Sequence, residues 1–212
     1  MDDIAYGIKY PAVIDFKMGR ITYDPEATND KIVRQKNKYP PVEQIGYQLL
    51  GMRVGHNKPR LNDKITIWLS LMKPKKVFNR KEQTFSHYDK IFGRKLSEEE
   101  LVHGLGLFFQ FHESKPQIHA IRETIRKFEE IKQWFLKQTT YHFYASSLIV
   151  IYDAYLEELL NAGTSTHDET VSNDLTNNNN NKSVAIASLM RVIMADFAHV
   201  FPANNSLDHN YI

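Results

Sequence analysis

The chain has 212 residues, with 27 Lys and Arg against 25 Asp and Glu and a net charge of +2, which excludes a nucleic-acid binder that works by overall positive charge. It has no cysteine, so disulfides, thiolate metal sites and a cysteine nucleophile are excluded together. With 42% hydrophobic and 25% charged residues it can bury a core as one domain or one large lobe.

The N-terminus, MDDIAYGIKY, lacks the basic and apolar regions of a signal peptide. No later stretch approaches the roughly 20 apolar residues of a transmembrane helix. A soluble, monomeric protein of the nucleus or cytoplasm is expected. Residues 11–16 alternate in character and read as a strand, closed by Gly19 and by Asp24-Pro25. Thr28, Asn29 or Asp30 caps a helix that runs to about Lys38 and stops before Pro40-Pro41. A more apolar segment follows over Val42–Val54.

Residues 57–87, with the run Ile65–Leu69 and the basic patch Lys73-Pro74-Lys75-Lys76, are expected to be a surface insertion. Ser97 and Glu100 then form a capping box ahead of Leu101, Leu105, Phe108 and Phe109 at helical spacing. A further helix from Lys115-Pro116 sets Ile118, Ile121, Ile125, Phe128, Ile131 and Phe135 on one stripe, with charge on the other face. Tyr141–Tyr152 reads as one buried strand. Residues 161–182 are Asn-, Thr- and Ser-rich, cannot bury apolar area, and are expected to be a disordered loop. Val184–Ala198 resumes as one or two strands with Asp196 at the end.

Four features can carry chemistry. Asp15 and Lys17, two apart on a strand, share a face; they form a surface ion pair, or a carboxylate and an ammonium at the mouth of a phosphate site beside Gly19. Lys31, Arg34, Gln35 and Lys38 recur at helical spacing on one face, either as a solvated surface or as a cradle for several phosphates. Asp196, closing an apolar strand, is a Mg2+ ligand or a turn cap, and His199 is a phosphate donor or a structural histidine. Ser146 and Ser147 lie in a buried strand without the flanking glycines of a hydrolase nucleophile. There is no Gly-rich phosphate loop ending in Gly-Lys-Ser/Thr and no His-Arg-Asp or Asp-Phe-Gly set, which excludes the P-loop and protein-kinase designs.

In their order these features resemble the inositol polyphosphate kinase family. The family's Pro-x-x-x-Asp-x-Lys-x-Gly motif is matched by PAVIDFKMG (Pro11 to Gly19) and continues into Thr22-Tyr23-Asp24-Pro25-Glu26-Ala27. Its Ser-Ser-Leu-Leu element is matched by Ser146-Ser147-Leu148-Ile149, and its Ile-Asp-Phe-Ala-His element by Ala195-Asp196-Phe197-Ala198-His199. The multikinase branch is the nearest likeness, through the helix Lys31–Lys38, Ile45–Val54 and Phe143–Ser147. The resemblance implies an α+β fold, the larger C-terminal lobe of a two-lobed kinase, with a mostly antiparallel sheet and packed helices. Residues 1–212 form the kinase domain and residues 28–39 its substrate-binding helix.

The resemblance also implies residue roles. Asp15 and Lys17 are the catalytic pair. Lys17, Lys31, Arg34, Gln35, Lys38, Lys90 and His199 hold an inositol polyphosphate, or a phosphoinositide headgroup. Asp2, Ile4, Asp15 and Asp196 meet ATP, and Asp196 holds Mg2+. Met1–Ile4 resembles the hinge strand, so a smaller lobe is expected before it and a final helix after Ile212. A second reading follows: a fragment that binds inositol phosphates or serves as a scaffold without turning over ATP.

Overall fold

A computed structural model describes residues 3–56, 76–80, 83–109, 116–162, 186 and 188–212. The architecture is α+β: a six-stranded sheet in the order β3-β4-β2-β1-β6-β7, every neighbouring pair antiparallel, with helices packed on it and a separate two-stranded sheet, β5-β8. The strands are β1 (Pro11–Met18), β2 (Tyr47–His56), β3 (Lys76–Arg80), β4 (Gln83–Tyr88), β5 (Tyr141–Phe143), β6 (Ser147–Asp153), β7 (Met190–Ala195) and β8 (Val200–Pro202). The helices are α1 (Asn29–Lys36), α2 (Val42–Ile45), α3 (Lys90–Lys95), α4 (Glu98–Phe108), α5 (Ile118–Phe135) and α6 (Leu156–Ala162).

β1 lies in the middle of the sheet, and its alternation decides what each face carries. Ala12, Ile14 and Phe16 are buried in the core. They stand level with Met52 and Leu49 of β2 and with Tyr152, Val150 and Leu148 of β6. Tyr88, Phe92, Leu101, Phe108 and Ala120 complete that core. The buried Tyr152 hydroxyl donates to the Phe108 carbonyl at 2.5 Å, so its polar end does not remain unsatisfied in apolar surroundings.

α4 begins as its sequence requires. The Glu100 N–H donates to Ser97 Oγ at 3.2 Å and the Ser97 N–H to Glu100 Oε2 at 2.9 Å, two otherwise orphaned donors satisfied reciprocally. On α5 the expected stripe is rotated: Ala120, Thr124 and Phe135 are the buried residues, whereas Ile125 is 63% exposed. The apolar side of α5 is broader than the strip its neighbours cover. Between α4, α5 and the sheet it leaves a groove of about 630 Å³ walled by Phe16, Met18, Tyr47, Phe109, Ile125 and Phe128.

Of 57–87, the described part consists of β3 and β4, a hairpin that extends the main sheet from β2. The run Ile65–Leu69 and residues 73–75 lie outside the described residues, as do 163–182 of the Asn-rich segment. Tyr141–Tyr152 is two strands in two sheets, since Ala145 between them has φ +59° and this left-handed kink redirects the chain. Met1 and Asp2 lie outside the described residues, and 4–7 is a turn rather than a strand, held by Tyr6 N–H to the Asp3 carbonyl at 3.0 Å. No helix among the described residues is long and apolar enough to cross a membrane.

Candidate active site

The second face of β1 carries Asp15 and Lys17. Lys17 is opposite Gln48 on β2 and Ser147 on β6, and Ser147 is opposite Ala195, the last residue of β7. The chain leaves β7 at Asp196 with φ +61°, a conformation uncommon outside glycine that Asp tolerates better than most residues. Asp196 is exposed, and its charge is felt by both Asp15 and Lys17. Strand pairing therefore assembles two carboxylates and an ammonium from two motifs far apart in sequence, with Ser147 of a third between them.

Neither member of the β1 pair is at ease. Burial raises the Asp15 carboxyl above its ordinary value; Ser147 donating to it and Lys17 oppose the rise, while Asp196 adds to it. Asp15 Oδ1 is buried with no hydrogen-bond partner among the described residues. Burial also lowers the Lys17 ammonium, helped by Lys38, Arg94 and Lys31 and opposed by Asp196. A relaxed surface ion pair would show the opposite shifts.

α1 supplies the next cations. Thr28 caps it, with the Lys31 N–H donating to Thr28 Oγ1 at 3.3 Å. The helix ends at Lys36, so Lys38 comes from the turn beyond it and donates from Nζ to Gln35 Oε1 at 3.1 Å. Lys38 is lowered by burial first, then by Arg94, Arg34 and Lys90. Lys36 faces away and pairs with Glu43 at 3.5 Å, which explains its absence from the helical stripe. Lys90 opens α3 and is exposed.

Arg94 was not singled out in the sequence. Gly93 brings α3 hard against β2: a Cβ there would lie 2.0 Å from the Leu49 carbonyl oxygen. That contact sets Arg94 near Lys17 and Lys38, with its Nε buried and unpartnered among the described residues. The signal was available, because Lys90 and Arg94 are four apart on one helix and share a face. Of the six cations Lys17, Lys31, Arg34, Lys38, Lys90 and Arg94, only Lys31 has a carboxylate within ion-pair distance among the described residues, and that carboxylate is Asp24 at 2.7 Å. His199, from the turn between β7 and β8, meets the same Asp24 oxygen at 3.0 Å.

The remaining candidates are more distant. Ile4 sits at the other end of β7 from Asp196, its carbonyl accepting from Arg191 Nη1 at 2.8 Å. Asp2 is outside the described residues. Ser146 is fully buried, and its N–H donates to the Tyr211 hydroxyl at 2.9 Å, so its backbone serves the fold while Ser147 serves Asp15. Chemically, the cluster suits a ligand with several phosphates, since each contact is a charge-assisted hydrogen bond. Asp196, with Asp15 behind it, offers the hard oxygens that Mg2+ or Mn2+ prefers. No group of three or more acidic or histidine ligands gathers among the described residues.

Comparison with known proteins agrees. The sequence model of the family described as inositol polyphosphate kinase matches residues 1–212. The chain is similar to the inositol polyphosphate multikinase of Mus musculus, 33% identical over 174 residues that cover 81% of this chain and 37% of that protein. The multikinase of Saccharomyces cerevisiae is 25% identical over 166 residues, covering 76% of this chain and 44% of that protein. The chain thus spans less than half the length of these curated relatives. Among solved structures, the S. cerevisiae inositol phosphate multikinase Ipk2 in complex with ADP and Mn2+ superposes with a TM-score of 0.66 at 21% identity, over 99% of this chain and 76% of that one.

Proposed function

The chain belongs to the inositol polyphosphate kinase family, and from that premise we propose that it moves the γ-phosphoryl group of ATP to a hydroxyl of an inositol tris- or tetrakisphosphate, as a multikinase does. The observation that carries the reading is the cluster of Lys17, Arg34, Lys38, Lys90 and Arg94, crowded beside Asp15 and Asp196 with no carboxylate within ion-pair distance of any of the five among the described residues. Burial first, and then mutual repulsion, already lower Lys17 and Lys38. A polyphosphate relieves that repulsion, so binding energy is concentrated at this face.

In this reading the chain is the larger lobe of a two-lobed kinase. Lys17, Lys31, Arg34, Gln35, Lys38, Lys90 and His199 hold the inositol phosphates, and Arg94 joins them. Asp15 orients the reacting hydroxyl and the ATP ribose. Asp2 and the Ile4 backbone meet adenine. Asp196 holds Mg2+, and the bound metal nucleotide supplies charge neutralisation between the phosphates. The protein's own part is positioning and fixed charge, which is where phosphoryl-transfer enzymes gain most of their rate. The complex of the yeast relative with ADP and Mn2+ supports nucleotide and divalent-cation use.

The test is to titrate the chain separately with ATP–Mg2+ and with inositol trisphosphate, and to follow label from γ-labelled ATP. Transfer to the inositol phosphate is expected, falling on the order of a hundredfold or more in Asp15→Asn and Lys17→Ala. Binding without transfer would favour the non-catalytic scaffold reading. Binding of neither ligand would overturn both, and near-normal turnover in both variants would refute the roles of Asp15 and Lys17.

A further inference from the structure

Asp24 lies in Thr22–Ala27, the stretch that continues the PAVIDFKMG motif, and the sequence alone assigned it no role in the site. It follows PAVIDFKMG in a loop, is 5% exposed, and collects two of the proposed phosphate donors on a single oxygen. Lys31 Nζ donates to Asp24 Oδ2 at 2.7 Å, and His199 Nδ1 lies 3.0 Å from the same atom. These donors come from α1 and from the β7–β8 turn, 168 positions apart by residue number (199 less 31). The carboxylate is fixed in turn: its Oδ1 accepts the Glu26 N–H at 3.1 Å and its carbonyl accepts the Ala27 N–H at 3.1 Å. The His199 carbonyl accepts the Tyr144 N–H at 3.0 Å, which anchors the ring's backbone as well.

We propose that Asp24 is a positioning residue of the inositol-phosphate site, holding Lys31 and His199 as a two-donor clamp on one phosphate group. The inference rests on the proposed function and adds to it a residue and the pairing of two others. Donor arithmetic supports it. An ammonium has three N–H donors and Asp24 takes one, leaving two. A ring whose Nδ1 carries the proton toward Asp24 presents Nε2 outward, and in the charged ring Nε2 is also a donor. The buried carboxylate lies beneath; the side chains of Lys31 and His199, 30% and 44% exposed, lie above it. Lys31 donating to it holds Asp24 below its ordinary carboxylate range, so the carboxylate stays acceptor-only. Both donors reach one oxygen, so both can reach one phosphate.

Asp24→Asn tests this, because the amide keeps an oxygen for the Glu26 N–H but turns an NH2 toward Lys31 and His199. The expected result is a KM for inositol trisphosphate raised about tenfold, with kcat nearly unchanged. In a Lys31→Ala background the same substitution should raise KM by clearly less, since one arm of the clamp is already gone. A purely structural Asp24 would lower stability without this split, and an unchanged KM in a variant that folds overturns the proposal. Ring nitrogen NMR of His199 in the unsubstituted protein is a second measurement that needs no variant. A protonated Nδ1, with Nε2 shifting when inositol trisphosphate is added, supports the clamp. An unprotonated Nδ1, or an Nε2 that ignores bound ligand, overturns it. If the unsubstituted protein binds no inositol trisphosphate, the proposed function fails and the clamp with it, an outcome distinct from binding that ignores Asp24.

Discussion

The two faces of β1 differ as much as any two regions of the molecule, though the same eight residues build both. One face, Ala12, Ile14 and Phe16, disappears into the core beside Leu49, Met52, Leu148 and Val150. The other, Asp15 and Lys17, is half-buried and works against its own electrostatics. Burial pushes the carboxyl up and the ammonium down, with an Asp15 oxygen that has no hydrogen-bond partner among the described residues and a crowd of cations beside them. A polar face of this kind does not hold itself together. It is held by the apolar face, whose burial offsets the desolvation of the charges. If that division is real, substitutions on one face should move stability and leave the chemistry, and those on the other should do the reverse.

The largest expected effect on stability is Phe16→Ala. Phe16 is 6% exposed and packs edge-on against Tyr47 and Phe128, with ring centroids 5.6 and 6.3 Å away. Removing the ring leaves a cavity in a core that relaxes only in part, so a loss of about 3–5 kcal/mol is expected in urea unfolding. Asp15→Asn, one residue earlier, should leave the urea midpoint unchanged or higher, because it removes a strained charge. Equal losses in the two variants would break the comparison.

Gly19→Ala probes the seam between the faces. Gly19 has φ +100°, and a Cβ there would lie 2.6 Å from Asn210 Nδ2. Asn210 fastens this turn, accepting the Ile21 N–H at 2.6 Å and donating to the Phe143 carbonyl at 3.0 Å. Backbone strain alone predicts a loss of about 1–3 kcal/mol. Since the seam serves both faces, affinity for inositol trisphosphate should fall as well. Ser97→Ala sharpens the contrast from the apolar side. Losing half of the capping box should lower stability by about 1 kcal/mol and leave that affinity untouched.

Much of this was legible in the sequence wherever the signal is local. The β1 alternation, the Ser97–Glu100 box and the Thr28 cap are decided by neighbours a few residues apart, and each is found where expected. The rest is long-range. Nothing local to Tyr141–Tyr152 marks Ala145 as the residue where the chain changes sheets. The β3–β4 hairpin is recognisable as sheet only once β2 is beside it. At the site, Lys31, Arg34 and Lys38 were found by helical spacing, whereas Arg94 needed the close approach that Gly93 permits, and Asp24 needed the β7–β8 turn to deliver His199. A charge pattern reveals what one helix presents; which carboxylate will meet it depends on the whole topology.

The smallest effect expected is the polar face's share of the pH dependence of stability. Asp15 has a folded pKa above its ordinary value of 3.8. Between those two values the folded chain holds a proton that the unfolded chain has released, so stability falls as pH rises through the interval. Lys17 has a folded pKa below its ordinary 10.5. In the window beneath 10.5 the unfolded chain holds the extra proton, so stability rises with pH there. Both slopes follow from burial acting on the charged forms, and both leave a shallow minimum of stability between the windows. Urea midpoints measured across pH should show an acid-side slope that becomes shallower in Asp15→Asn, Asp208 with its carboxyl also raised by burial keeping the rest. They should also show an alkaline slope that becomes shallower in Lys17→Ala, Lys38 keeping the rest. Saturating inositol trisphosphate should flatten the alkaline slope, because phosphates beside Lys17 favour its charged form and lift its folded value toward 10.5. Slopes unchanged in both variants would place the titrating groups elsewhere and remove the electrostatic half of the comparison.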